Sequence, residues 1–364
     1  MRASGDDGAA YWSFFLENSV RTLAPNLRVK AGVVRCRERI WPLTVEGELG
    51  ENSYPCSLFT QYVRYPLAEL SLLKSKWAQA GAWSALQFLG VGLRFGQVDQ
   101  TVQWSSSLLS TNLHGSDLVK DAPTVTTALT KQFPNHAILL KNIHAFEDPE
   151  LPSRLEACGY DLITSRQIYF FDGKNPEFLS RSDVKRDLKA LRALKSYSVV
   201  ESDSFFPEDI PRITALYRML YLEKNSYLNP QYTEKFVARA LNERLLEFRG
   251  LRHESGRLDA VFACFQKGRV TTTPFIGYDT TLTIDTGFYR LLVAMLLKRV
   301  AEQRLLLNYS SGAGEFKRRR GAQAGLEWNA VYVRHLPPDR RIPYQVLGAL
   351  MNRWGKRFLV ENGV

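Results

Sequence analysis

Residues 246–336 contain the pattern that most constrains how this chain can fold. Three strand-like runs joined by short links that contain glycine predict antiparallel hairpins, at 246–252, 257–266 and 270–278. An apolar helix predicted at 287–304, with Thr286 as its N-cap, precedes a compact apolar strand at 305–310. That strand must return beside the sheet, as in a βαβ crossover. A glycine turn, a short basic helix and a last strand at 326–336 complete the order.

The first half of the chain shows a similar but less regular order of strands and helices. Strands are predicted at 29–40, 57–65, 104–113, 136–143 and 161–171. Helices are predicted from Pro66 onward, near 117–132, at 149–159, at 180–196 with Ser182 as N-cap, at 210–225 and at 232–245. We therefore predict an α/β (α+β) protein with two similar halves, residues 1–172 and 173–364. Each half is expected to be a mixed, mostly antiparallel sheet flanked by helices.

Charge is the most informative feature of the composition. The 364 residues include 48 Lys and Arg against 37 Asp and Glu, a formal net charge of +11. Such an excess favours polyanionic partners, although dispersed surface charge is an equal alternative. The four cysteines are widely spaced and form no CxxC or Cys/His cluster, so we expect no metal site.

The most apolar internal stretch, residues 82–93, is too short to cross a bilayer. The first ten residues have one Arg but lack the apolar core of a signal peptide. We therefore expect a cytoplasmic protein without a membrane partner. The sequence predicts nothing about its oligomeric state.

A ligand site is expected where the strand at 305–310 diverges from the hairpin sheet, because such an opening forms a cleft. The helix that starts at 287 would direct its N-terminal amides and its dipole to this region. Tyr278 and Asp279 come directly before that helix, and Tyr289 lies in its first turn. These residues are candidates for the site, while turns, caps and core packing are the structural alternatives.

The stretch LLLNYSSGAGEFKRRRGA, residues 305–322, supplies the other candidates. Functional residues often lie at the carboxyl ends of strands in open α/β sheets, and this end carries Asn308, Ser310, Ser311 and Gly312. Phe316 is expected to pack on the core, which would give Lys317 a fixed base from which to reach the cleft. A fixed ammonium would stabilise the oxyanion of an acyl-transfer intermediate.

The three cations that follow, Arg318, Arg319 and Arg320, would point in different directions on a helical turn. They are candidates for donor binding, but not all three can serve one site. The alternative is a solvated basic helix face. No GxSxG motif or other nucleophile pattern is present in the sequence, which favours direct transfer over a covalent enzyme intermediate. Asp279 or a water chain is the expected general base, and loop aspartates such as Asp285 more often make turns.

Residues 271–300, 305–322 and 327–337 together resemble the acyltransferase branch of the GNAT superfamily. More narrowly, they resemble the proteins that join two GNAT-like halves, which include the Fem-type aminoacyl-tRNA-dependent transferases. The resemblance implies transfer of an acyl or aminoacyl group to an amine. In Fem-type enzymes a Phe-Lys pair near the end of the second half places the lysine beside the reacting carbonyl. Phe316 and Lys317 match that pair.

The donor predicted from this resemblance is aminoacyl-tRNA, slightly ahead of acyl-CoA. The segment at 277–290 lacks the Arg/Gln-x-x-Gly-x-Gly/Ala pattern that binds the CoA pyrophosphate, and no tightly bound cofactor is expected. A basic helix face suits tRNA, with the candidate contacts Lys185, Arg186, Lys189 and Arg192. The acceptor would be a small-molecule or peptide amine. The alternatives are an acyl-CoA-dependent N-acyltransferase and a non-catalytic RNA-binding module, with a charge-recruited membrane-surface protein ranked last.

Overall fold

The computed structural model describes residues 12–13, 15–17, 19–46, 52–72, 75–282 and 287–362. One continuous sheet of eleven strands runs through this part of the chain, in the order β1-β2-β3-β4-β11-β5-β10-β9-β8-β7-β6. The strands are β1 (Lys30–Cys36), β2 (Arg39–Val45), β3 (Thr101–Trp104), β4 (Ala137–His144), β5 (Asp161–Asp172), β6 (Tyr197–Glu201), β7 (Glu247–His253), β8 (Leu258–Lys267), β9 (Val270–Tyr278), β10 (Leu306–Asn308) and β11 (Gln323–Tyr332).

Helices cover both faces of this sheet. The α-helices are α1 (Val20–Leu23), α2 (Tyr65–Glu69), α3 (Lys76–Phe95), α4 (Leu118–Gln132), α5 (Leu151–Ala157), α6 (Ser182–Ala193), α7 (Ile210–Tyr217), α8 (Glu234–Asn242), α9 (Phe288–Glu302), α10 (Gly314–Arg319), α11 (Pro338–Leu350) and α12 (Lys356–Asn362). Three π-helical segments continue or precede them, at Thr60–Arg64, Arg218–Asn225 and Met351–Gly355. None of the helices in the described part of the chain is both long and apolar enough to cross a membrane.

Each half contains a parallel crossover of the predicted kind. In the first half β3 leads through α4 to β4, and the two strands pair in parallel from Thr101 to Gln103. In the second half β9 leads through α9 to β10, with parallel pairing from Val270 to Thr272. All other strand pairs in the described residues are antiparallel. The predicted fold class, a mixed and mostly antiparallel sheet flanked by helices in both halves, is confirmed.

The last strand of each half is exchanged with the other half. β5 ends the first half but pairs with β10, where Phe170 lies opposite Asn308. β11 belongs to the second half but pairs with β4, where Glu327 lies opposite His144. The two exchanged strands also pair with each other along most of their length. The boundary predicted at residue 172 coincides with the end of β5, and two separate domains remain a prediction.

Burial explains why the central elements form where they do. All eight residues of β4 are buried, as expected for a strand that is covered on both faces. Helix α9 lies across the second half with most of its residues buried, and it has apolar residues on nearly all sides. The buried sheet and α9 therefore support the loops that follow β9 and β10.

Two of the strands predicted in the first half are wrong. Residues 57–65 are helical, because the Ser57 hydroxyl accepts the amide of Thr60 at 2.8 Å and Asp99 accepts the amide of Phe59 at 2.9 Å. These side-chain caps favour a helix start over the β propensity of the segment. Residues 105–113 leave the sheet after β3, and positive φ angles at Ser105 and Leu108 prevent an extended strand.

Other predicted element boundaries also differ from those in the structure. The segment 29–40 is a hairpin rather than one strand, since Arg37 turns the chain with φ of 56°. The helix predicted from Pro66 ends near 72, and α3 starts anew where the Ser75 hydroxyl accepts the amide of Ala78. Ser182 is the first residue of α6 rather than its N-cap. Thr286 and Asp285 lie outside the described residues.

We predict that neither half folds alone. A fragment of residues 1–172 would lack β11, and a fragment of residues 173–364 would lack β5, so each would expose unpaired strand edges. The full chain should unfold in one cooperative transition by circular dichroism, while each fragment should show no cooperative transition. Two fragments that each melt cooperatively would contradict this expectation.

Candidate functional site

The strands β9 and β10 separate after three paired residues. β9 continues beside β8 to Tyr278, while the chain after Asn308 stays with β5, because the Tyr309 amide donates to the Tyr169 carbonyl and the Tyr169 amide donates to the Ser310 carbonyl. The turn that follows has positive φ angles at Ser310, Gly312 and Ala313. The predicted opening in the sheet is therefore present, with the turn 309–313 on one side of it.

Lys317 holds this turn. It lies on α10 and is buried, and its Nζ donates to the carbonyl oxygens of Tyr309 at 2.6 Å, Ser311 at 2.8 Å and Ser310 at 3.2 Å. The ammonium also lies 4.6 Å from the centre of the Tyr309 ring. Burial, followed by the positive charge of Arg166, lowers the pKa of Lys317 well below 10.5. The three carbonyl acceptors together match the three hydrogens of a charged ammonium.

The three arginines that follow Lys317 all have partners, and Arg320 is buried while Arg318 and Arg319 are exposed. Arg318 donates to the Tyr169 hydroxyl at 2.8 Å. Arg319 pairs with Asp183 at 3.0 Å, and Arg320 pairs with Asp187 at 2.6 Å.

The carboxylates of Asp183 and Asp187 come from one face of α6, because residues four apart in a helix share a face. Both are buried, and Asp187 also accepts Arg290 of α9. The run of cations therefore fastens α10 to α6. Of the four cations, Lys317 alone contacts the carbonyls of the turn that borders the opening.

Aromatic side chains surround the opening. The Tyr309 hydroxyl donates to that of Tyr289 at 3.2 Å, and the Tyr289 ring lies 5.1 Å from that of Phe316. Burial raises the pKa of both tyrosines, which keeps their hydroxyls neutral. Lys224 donates to the Tyr278 hydroxyl at 3.1 Å. Lys224 lies on the π-helix 218–225, where the sequence showed no motif.

Asn308 carries an unsatisfied donor at the end of β10. Its side chain is fully buried, and its Oδ1 accepts the amide of Ser310 at 3.0 Å. Its Nδ2 has no hydrogen-bond partner among the residues that the structure describes. A buried donor without a partner costs free energy, so a ligand acceptor placed beside this group would be stabilised.

Asp279 lies at the end of β9 but is engaged in other contacts. Its Oδ2 accepts Arg212 at 2.6 Å and its Oδ1 accepts the amide of Thr281 at 2.9 Å. Burial alone would raise the pKa of Asp279, but these contacts with Arg212 and Thr281 lower it below 3.8. A paired carboxylate with a lowered pKa is a weak base, so the geometry does not favour Asp279 for that role.

Two cations of the first half were missed by the sequence analysis. Arg166 of β5 forms a buried pair with Glu327 of β11 at 2.7 Å, and its charge acts on Lys317. Lys141 of β4 donates to the Tyr54 carbonyl at 2.8 Å, and burial lowers its pKa to about 8. The available signal for Lys141 was a cation within an otherwise apolar strand, and no comparable signal marks Arg166, which lies between Ser165 and Gln167. In the part of the chain described by the structure, no group of His, Cys, Asp and Glu could hold a metal ion.

The basic face predicted for tRNA is present on α6. Its candidate residues are all exposed: Lys185, Arg186, Lys189 and Arg192. Arg186 is partly engaged, because it pairs with Asp183 at 2.5 Å. Asp183 and Asp187, which bind the helix that carries Lys317, lie on the other side of α6 from Lys185, Lys189 and Arg192.

We predict that Asp187→Asn lowers the free energy of unfolding by about 3–5 kcal/mol, because two arginines would lose a buried carboxylate. Glu361→Gln removes a carboxylate from an exposed pair with Arg357 and should cost less than about 1 kcal/mol. Urea denaturation of both variants tests the difference. Equal effects would show that the Asp187 cluster does not stabilise the fold.

Comparisons with known proteins bear on the fold. No family model matches the sequence, and no curated protein does. The crystal structure of FemX aligns with a TM-score of 0.53 and 7% identity, covering 95% of this chain and 98% of that chain. A conserved protein of unknown function from Bacteroides thetaiotaomicron VPI-5482 aligns with a TM-score of 0.50 and 11% identity, covering 91% and 92%. L-PGS from Bacillus licheniformis aligns with a TM-score of 0.47 and 12% identity, covering 63% and 79%.

The first two alignments span nearly the whole length of both chains, so they include the two halves and the exchanged strands between them. At these identities they bear on architecture and not on activity. This chain therefore shares the fold of FemX, and the GNAT-like character of its two halves remains what the sequence resemblance implies.

Proposed function

We propose that this protein transfers an acyl or aminoacyl group from a carrier to an amine, in the opening between β9 and β10. The observation that carries the proposal is the Lys317 ammonium, which is enclosed by three carbonyl oxygens at the carboxyl end of β10. The shared fold with FemX and the match of Phe316 and Lys317 to the Fem-type pair support it. Fold alone would not, since one fold serves many activities.

In the proposed reaction the amine nitrogen attacks the carbonyl carbon of an ester or thioester. A C–N bond forms and the C–O or C–S bond to the carrier breaks. The amine loses one proton, and the departing oxygen or sulfur of the carrier takes one up. The donor carbonyl would replace the Ser310 oxygen, which is the most distant acceptor of Lys317 at 3.2 Å. The ammonium then stabilises the oxyanion, with the unpartnered Nδ2 of Asn308 as a second donor.

The proton of the amine is assigned to water rather than to Asp279, because that carboxylate is already paired with Arg212. The neutral hydroxyls of Tyr289 and Tyr309 form a hydrogen-bonded pair beside Lys317 and would orient that water. Tyr278, Ser310, Ser311, Gly312 and Phe316 would line the donor and acceptor sites.

Aminoacyl-tRNA is the favoured donor. The exposed cations of α6 would bind its phosphates, and the same helix is joined to α10 through Asp183 and Asp187. Acyl-CoA is the alternative donor, and part of the segment that would bind its pyrophosphate lies outside the described residues. The acceptor is a small-molecule or peptide amine.

The first test is a donor assay with the full-length protein. Radiolabelled amino acids precharged on total tRNA, and separately an acyl-CoA mixture, are incubated with a cellular amine extract. We expect label to leave tRNA in a protein-dependent reaction, and Lys317→Met to slow the reaction by about 10²–10³-fold because one oxyanion donor is removed. Lys298→Met is the matched control, because Lys298 is exposed on α9 and pairs only with Glu302 in the described part of the chain.

The dependence of the transfer rate on pH distinguishes a catalytic role of Lys317 from a purely structural one. Because the pKa of Lys317 is lowered, the rate should fall with rising pH at a midpoint below 10.5, as the ammonium loses its proton. The variant Lys317→Arg keeps its charge at high pH, so its rate should not show this fall. Transfer that persists in Lys317→Met, or an unchanged fall in Lys317→Arg, would contradict the role of Lys317.

A non-catalytic RNA-binding module is the second candidate function. The observation that favours it is that all three hydrogens of the Lys317 ammonium already have acceptors, so no substrate is required to satisfy them. In that case neither donor would be consumed, and Lys317→Met would leave RNA binding intact.

We predict that the α6 face carries tRNA affinity under both candidate functions. Replacing Lys185, Lys189 and Arg192 by Gln should lower the slope of log affinity against log salt by about 2–3, because each of these cations would neutralise one phosphate. The control replaces three exposed lysines elsewhere by Gln, namely Lys131, Lys174 and Lys235. Filter binding at several salt concentrations measures both. Equal slopes for the two variants would mean that α6 is not the tRNA-binding surface.

A further inference from the structure

Most of helix α3 is exposed to solvent although the helix is apolar. It has 20 residues and is therefore about 30 Å long at 1.5 Å per residue. Only Gly90 and Leu93 of this helix are buried. It contains the stretch 82–93, which is the most apolar of the sequence.

The exposed side of α3 is an aromatic stripe. Trp77, Phe88 and Phe95 are 89%, 85% and 75% exposed. They are spaced by 11 and 7 residues, which are close to three and two helical turns, so they share one face. The opposite side packs against the protein through Leu89 and Leu93. A helix with apolar residues on both sides is normally covered on both.

The C-terminal helices lie near one end of α3 and carry further exposed aromatic residues. Helix α11 lies against the end of α3, since Arg340 donates to the Gly96 carbonyl at 2.8 Å. Beyond it, Trp354 and Phe358 are 60% and 52% exposed and lie four residues apart. We call the exposed residues Trp77, Phe88, Phe95, Trp354 and Phe358 the aromatic face.

The charges near the aromatic face are mostly of one sign. Helix α3 contains no Asp or Glu, and has Lys76 and Arg94 at its ends. Together α3 and residues 338–362 carry seven Lys and Arg against two Asp and Glu. One of those two, Glu361, pairs with Arg357 at 2.8 Å. This excess disfavours a second copy of the chain as the partner, because two like-charged surfaces would meet.

Anionic lipid complements both features. Aromatic side chains prefer the headgroup region of a bilayer, and flanking Lys and Arg bind its phosphates. A pocket of about 210 Å³ beside α3 is lined by apolar side chains and by the polar side chains of Arg64, Gln87 and Arg94. The Arg94 guanidinium lies 4.7 Å from the centre of the Phe59 ring. Because no helix in the described ranges could span a membrane, the expected geometry is a helix that lies in the interface plane.

We propose that α3 and the C-terminal helices form a docking surface for an anionic bilayer, in which the aromatic face enters the headgroup layer and the flanking cations contact lipid phosphates. This proposal does not depend on the proposed function, since no site residue of the opening belongs to the aromatic face. It is an alternative to the expectation from sequence that the protein has no membrane partner, which stays a prediction.

Vesicle sedimentation of the full-length protein tests the proposal. We expect binding to vesicles of phosphatidylcholine mixed with phosphatidylglycerol, and much weaker binding to phosphatidylcholine alone. Bound protein should show a blue shift of tryptophan emission. The triple variant Trp77→Ser, Phe88→Ser, Phe95→Ser should bind at least about tenfold more weakly, because less apolar area enters the interface.

Two further variants keep the test specific. The control Ile40→Ser, Val199→Ser, Phe206→Ser removes three exposed apolar side chains away from the aromatic face and should bind as the unmodified protein does. The variant Arg353→Gln, Lys356→Gln, Arg357→Gln should lose the preference for phosphatidylglycerol. No vesicle binding, or equal loss in the control, would overturn the proposal. A dimer detected by light scattering and abolished by the α3 triple variant would also overturn it, in favour of a second copy.

Discussion

The pairing of β5 with β11 is the interaction on which the rest of the structure depends. Each of these strands ends one half of the chain and completes the sheet of the other half. The exchange converts two sheets into one, and it brings Arg166 of the first half to Glu327 of the second half. The electrostatic environment of Lys317 therefore includes a charge from the other half of the chain. A site built in this way cannot be assigned to one half alone.

The second constraint is the pair of carboxylates on α6. Asp183 and Asp187 bind the arginines that follow Lys317, and Asp187 also binds Arg290 of α9. Buried carboxylates are stable in such positions only when they are paired and hydrogen-bonded. This cluster fixes α10, and α10 fixes the lysine that holds the turn after β10. The short basic helix thus has a structural function as well as the proposed chemical one.

The sequence predicted the second half well because its signals are local. Short glycine links, an apolar helix and a compact strand determine the elements from 247 to 332 with few alternatives. It failed at residues 57–65 and 105–113, where hydrogen bonds from Ser57 and Asp99 and positive φ angles override β propensity. The roles of Arg319, Arg320 and Arg166 depend on partners 136, 133 and 161 residues away in the sequence. No local pattern encodes such contacts, and Asp279 looked available as a base because its contact with Arg212 is 67 residues away.

The exchange of strands also determines the order of events during synthesis. When the first half leaves the ribosome, the place beside β4 is empty, because β11 lies near the end of the chain. The edges of β4 and β5 stay unpaired until residues 323–332 have been made, and such edges can pair with other chains. A nascent chain of this architecture therefore carries an open sheet through about half of its translation, and is expected to depend on chaperones or on rapid elongation.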